Sequence, residues 1–187
     1  MAGDGNGNQP LHLAASRGDV RALGRLLECV PSADPLNKQK ATPLVFAAAE
    51  GRTAAVELLV SANAAVNAAD ATGNTPLLVA ASLGHEPVVR FLLGEPGIDP
   101  MCPNGQGHTP LMMAARNGHF PIVEMLLAAK GVALDQTDKE GWTALTHAIV
   151  GRRDTVVERL AKEKARLPLF TRHLTTAADV QTTRAGG

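Results

Sequence analysis

The chain has no tyrosine, one tryptophan and four phenylalanines among its 187 residues. Nucleic-acid surfaces are built from basic stripes interleaved with stacking rings. A chain with 3% aromatics and a formal net charge of +0 offers neither. Two cysteines, Cys29 and Cys102, are too few for a disulfide framework. No apolar run approaches the roughly 20 residues that span a bilayer, and the opening MAGDGNGNQP lacks the apolar core of a signal peptide. These absences point away from nucleic acid and membrane, and towards a cytoplasmic and/or nuclear location. Hydrophobic residues nevertheless make up 45% of the chain, enough for a packed core.

What is present is a repeat. Gln9-Pro10-Leu11, Thr42-Pro43-Leu44, Thr75-Pro76-Leu77, Thr109-Pro110-Leu111 and Thr143-Ala144-Leu145 recur at spacings of 33, 33, 34 and 34 residues. Three further markers keep the same phase. They are the pairs Ala14-Ala15, Ala47-Ala48, Ala80-Ala81, Ala114-Ala115 and Ala148-Ile149; the glycines Gly18, Gly51, Gly84 and Gly118; and Leu26, Leu59, Leu92, Leu126 and Leu160. Four markers in step over five copies define the organisation of the chain.

Each marker has a physical task. Thr before Pro starts a helix, because the hydroxyl caps free backbone N–H groups and Pro suits the first helical position. The alanines let neighbouring helices approach closely, and Gly ends the helix in the left-handed conformation. Leu23, Val56, Val89, Val123 and Val157 precede the fourth-marker leucines by three residues, which puts each pair on one core-facing side of a second helix. Between units, Asp4, Asn37, Asp70, Asn104 and Asp138 lead into Gly7, Lys40, Gly73, Gly107 and Gly141, a turn in which Asx bonds its own backbone.

At these residues the chain resembles the ankyrin-repeat family, with its period of about 33 and its T-P-L-H-x-A pattern. The resemblance covers residues 4–166. It implies an all-α solenoid of stacked helix-turn-helix units joined by β-hairpin-like loops, with repeats near 4–36, 37–69, 70–103, 104–137 and 138–166 in a domain of residues 1–166. A partly disordered C-terminal extension, 167–187, follows. Departures are local: the pattern's His survives only as His12, Lys40 and Arg152 replace glycines, and Glu95-Pro96-Gly97 and Ala129-Lys130-Gly131 each carry an extra residue, expected in the loop after a second helix.

A repeat cannot bury its own apolar face, so the end units must be capped by polar surface. The last unit is rich in charge, from Arg152 to Arg166. Residues 1–142 hold 10 basic and 14 acidic side chains, whereas residues 143–187 hold 8 and 4. The basic end could steer an acidic partner or simply keep the cap solvated.

Catalysis, a cofactor and a metal site are not expected. No H-E-x-x-H, C-x-x-C or G-x-S-x-G motif is present, and Asn104-Gly105-Gln106-Gly107 falls on a repeat tip, where glycine serves the turn. His85 and His119 follow helix-ending glycines, where the resemblance implies a turn-stabilising role. Cys29 and Cys102 lie two or more units apart and read as free thiols.

The resemblance implies instead a protein–protein interaction module, a scaffold, adaptor or inhibitor, that binds its partner on the concave side formed by turn tips and first helices. The alternative is a targeting or regulatory subunit of an enzyme complex whose catalysis lies on another chain. Tip candidates are Lys38, Gln39 and Ala41 in the second unit, Ala71, Thr72 and Asn74 in the third, Gln106 and His108 in the fourth, and Lys139, Glu140 and Trp142 in the fifth. First-helix candidates are Arg17, Glu50, Leu83, Arg116 and Asn117. Leu83 is apolar where its counterparts are polar, Arg116 could grip a carboxylate, and Trp142 either anchors a partner or packs on the next turn. Leu83, His108, Arg116 and Trp142 form the expected patch on a monomer.

Overall fold

The computed structural model describes residues 4–166, and the extension expected at 167–187 lies outside them. The described residues hold ten helices and no strand. They form five antiparallel pairs: α1 (Pro10–Arg17) with α2 (Val20–Cys29), α3 (Pro43–Ala49) with α4 (Thr53–Ser61), α5 (Pro76–Leu83) with α6 (Glu86–Leu93), α7 (Pro110–Asn117) with α8 (Phe120–Ala128), and α9 (Ala144–Val150) with α10 (Asp154–Arg166).

The helix starts follow the threonines. Oγ1 of Thr42, Thr75, Thr109 and Thr143 accepts the backbone N–H of Val45, Leu78, Met112 and Thr146, at 3.2–3.4 Å. The first copy lacks threonine, and there the backbone N–H of Gln9 donates to Nδ1 of His12 at 3.1 Å. Gly18, Gly84 and Gly118 close their helices in the left-handed region. Arg152 takes the same conformation, with φ 55°, at a cost of about 1 kcal/mol that glycine avoids. The extra residues of the third and fourth units fall beyond α6 and α8, where Gly97 and Gly131 turn the chain.

One apolar seam runs through all five pairs, from Leu11 to Leu160. The first helices contribute alanines that are almost wholly buried. Their small side chains let α1, α3, α5, α7 and α9 pack closely on one another, whereas the second helices touch their neighbours less. Rows packed more tightly on one side than the other must bend, so the first helices lie on the inner side of the curve. At the ends the seam opens. Leu26 in the first unit is half-buried where Leu59, Leu92 and Leu126 are closed off. In the last unit Val157 is also half-buried, whereas Val156 keeps the buried place that Ala55, Val88 and Ile122 hold in the inner units. The expected polar cap holds for α10 but not for α9, which leaves Ile149 and Val150 exposed.

Two hydrogen-bonded devices set the register of each unit on the next. The residue just before each second helix reaches back to a carbonyl at the end of the preceding first helix: Arg52 to Ser16, His85 to Ala49, His119 to Ser82 and Arg153 to Arg116, at 2.8–3.2 Å. A carbonyl only accepts, so His85 and His119 carry their proton on Nε2. Their expected structural role is thereby given a partner. At the opposite end of each unit, a tip backbone N–H donates to the preceding tip: Lys38 to Asn6, Ala71 to Gln39, Gly105 to Thr72 and Lys139 to Gln106, at 2.7–3.1 Å.

Leu92 is fully buried in the central unit, and its truncation leaves a cavity that rigid neighbours cannot fill. Leu92→Ala is expected to cost about 3 kcal/mol in urea unfolding. Leu26→Ala, at the open end of the seam, should cost about 1 kcal/mol. Equal costs would contradict a seam that closes towards the centre.

Candidate protein-binding face

The tips are built from one device used five times. In each, the Asx Oδ1 accepts two backbone N–H groups, from residues two and four positions on, at 2.8–3.0 Å. A residue in the left-handed region completes the turn: Gly7, Lys40, Gly73, Gly107 and Gly141. Gly73 has a second reason to be glycine, because a Cβ there would stand 2.7 Å from the backbone nitrogen of Gly105 on the next tip. Rigid tips held side by side, with the first helices beside them, make a continuous inner surface.

The expected partner-binding residues divide on this surface. Arg17, Lys38, Glu50, Gln106, Arg116 and Lys139 are exposed, and Leu83 is 55% exposed. Lys38 uses its ammonium on the carbonyl of Gly5 at 2.8 Å. Asn117 is half-buried and donates Nδ2 to the carbonyl of Ser82 at 2.8 Å, so it holds the stack together. Ala41 is buried, because its backbone N–H and carbonyl are bonded by Asn37 and His12 beneath the tip, and it cannot serve as a contact. Trp142 is half-buried. Its ring meets His147 of its own unit edge-on at 5.6 Å rather than packing on a following turn, so it is not the exposed anchor of the expected patch.

His108, Arg116 and Trp142 are brought together, around a residue that the repeat markers did not single out. His147 on α9 is buried, its Nε2 lies 2.7 Å from Asp138 Oδ2, and its ring meets that of His108 at 5.2 Å. Burial pushes the His147 imidazole below its usual range and Asp138 pulls it back, while His108 and Arg116 add repulsion. Asp138 is itself held below the ordinary carboxylate range: burial opposes its charge, but the Trp142 backbone N–H and His147 outweigh it. Nothing in the spacing of residues 108, 138 and 147 betrays this group, because only the stacking of the fourth and fifth units assembles it.

A groove crosses the inner surface between the second and third tips. Gln39, Phe46, Glu50, Asp70 and Val79 line it, so that apolar rings and methyls lie between charged walls. Sequence reading placed Glu50 and Gln39 here but not Phe46 and Val79, whose positions on α3 and α5 face the groove.

A family model described as ankyrin repeats (3 copies) matches residues 11–104, and another, ankyrin repeats (many copies), matches residues 95–148. No curated protein matches the chain.

Asp70 reports on tip integrity. Partial burial opposes its charge, but the Thr72 hydroxyl and the backbone N–H groups of Asn74 and Thr72 hold its carboxyl below the usual range. A lowered folded pKa gives stability that is present above the unfolded value and lost as pH falls through the folded one. The wild type should therefore lose more stability between about pH 5 and pH 3 than Asp70→Asn, in urea unfolding at each pH. Asparagine already makes this turn at positions 37 and 104, so the variant should fold. Superimposable pH profiles would contradict the assignment.

Proposed function

The chain belongs to the ankyrin-repeat family, and we propose that it acts as a scaffold, adaptor or inhibitor by binding a partner protein on its inner face. Ankyrin repeats are generally protein–protein interaction modules, and proteins built from them are typically non-enzymatic. The observation that carries the reading is Leu83. It ends α5 with more than half its surface in solvent, between the exposed Glu50 that caps α3 and Arg116 on α7. The fold does not need an apolar side chain there, since the equivalent positions hold Arg17, Glu50 and Asn117. An apolar centre flanked by an acid and a planar cation is the composition of a binding hot spot.

The groove beside Glu50 extends this surface towards the second and third tips. A partner of mixed character fits best: an apolar side chain over Leu83 and a carboxylate for Arg116, which can accept two parallel hydrogen bonds from the guanidinium. Rigid tips add to affinity, because a preorganised surface loses little freedom on binding.

The test is a quantitative comparison of partner capture from the native cell. Leu83→Glu combined with Arg116→Glu should weaken capture by about 2 kcal/mol or more, roughly thirtyfold, with the melting temperature nearly unchanged. Arg90→Glu, on the second-helix side, should leave capture intact. Undiminished capture by the inner-face variant, or equal loss from Arg90→Glu, would overturn the proposal.

A further inference from the structure

The junction between the fourth and fifth units departs from the others in a way that points to a ligand. At two other junctions neighbouring tips are tied by an amide pair: Asn37 Nδ2 donates to Asn8 Oδ1 at 2.8 Å, and Asn104 Nδ2 donates to Asn74 Oδ1 at 3.0 Å. At the last junction the equivalent residues are His108 and Asp138. Here the ring nitrogen Nε2 stands 3.5 Å from Asp138 Oδ2, beyond hydrogen-bond length, so the tie is not closed by a proton. His147 adds a second imidazole Nε2 to the same carboxylate oxygen. Two nitrogens and one oxygen thus lie within 4.8 Å of one another, with Asp138 and His147 buried and His108 half-buried.

We propose that His108, Asp138 and His147 bind a divalent transition-metal ion, with zinc as the natural occupant, across the fourth and fifth units. Two imidazoles and a carboxylate are a donor set suited to zinc, which such sites complete with water. Bonds of about 2 Å at tetrahedral angles place ligand atoms roughly 3.3 Å apart. The His108–Asp138 separation already meets that spacing, and the His147–Asp138 pair needs to open by about half an ångström. The carboxylate is aimed beforehand, since its Oδ1 is fixed by the backbone N–H groups of Glu140 and Trp142 and only Oδ2 is presented.

The other ring nitrogen of His147 limits the affinity. Nδ1 of His147 is buried and has no hydrogen-bond partner. When Nε2 turns its lone pair to a metal, the ring proton resides on Nδ1. The His147–Asp138 bond then becomes two bonds to one ion and no proton need leave the protein, but the proton moved to Nδ1 finds no acceptor, which opposes binding. Arg116 works against the ion, because its positive charge acts on His147, so binding in the micromolar range is expected.

The test uses the full chain, freed of metal by a chelator and titrated with zinc alone against a chromophoric competitor and by calorimetry. One zinc per chain should bind at micromolar concentration and raise the melting temperature. His108→Asn restores the residue found at positions 8 and 74, so it should fold, as circular dichroism and the metal-free melting curve would verify. It should bind zinc at least tenfold more weakly and lose the thermal shift. Lys139→Ala, exposed on the same tip, should bind as the wild type does. No uptake at micromolar zinc, or a loss of less than tenfold in folded His108→Asn, would overturn the proposal. The second result would place any bound zinc elsewhere, for example on the exposed Cys29.

Discussion

No unit of this chain can bury its own apolar face, so the structure depends on the contact between one helical pair and the next. The seam supplies the drive, through alanines and leucines that lose their solvent only when a neighbour stacks on them. It does not by itself fix which residue meets which. Register comes from polar bonds at both margins of each junction: the side chain that reaches back to a helix-end carbonyl, and the tip N–H that reaches back to a tip carbonyl. Each such bond contributes about 1 kcal/mol net, little beside the seam, yet a slip of one residue would leave the carbonyls unpaired.

This division of labour explains why the repeat could be read from the chain. Threonine, the paired alanines, the helix-ending glycine and the Asx of the tip each act within a few residues of their own position, so their spacing survives as a visible period. Lys40 and Arg152, written where glycine is the rule, adopt the left-handed conformation anyway, because the surrounding turn imposes it. The ends were less legible. Exposure of Ile149 and Val150, and the partial opening of Val157, follow from where stacking stops in the described residues, which no local pattern encodes.

The candidate face was legible only through the family resemblance. The family resemblance placed Leu83, Glu50 and Arg116 at exposed positions of successive first helices; the structure exposes all three, with Glu50 just beyond the end of its helix. It also assigned Ala41 and Asn117 to the surface, although the junction takes one into its interior and the other into a hydrogen bond with Ser82. His147 escaped notice because its partners come from different units: Asp138 from its own tip and His108 from the tip before. Chemistry assembled across a junction has no spacing signature. A repeat array can therefore carry a specialised site at a single junction while its period stays intact.

The stacked seam as the source of order can be tested directly by amide hydrogen exchange on the free chain. Protection should peak in the middle first helices, Pro76–Leu83 and Pro110–Asn117, which have neighbours on both sides, and decline towards Val20–Cys29 and Asp154–Arg166. Protection that is flat along the chain, or highest in the terminal pairs, would mean that the units stand by themselves and would contradict the account.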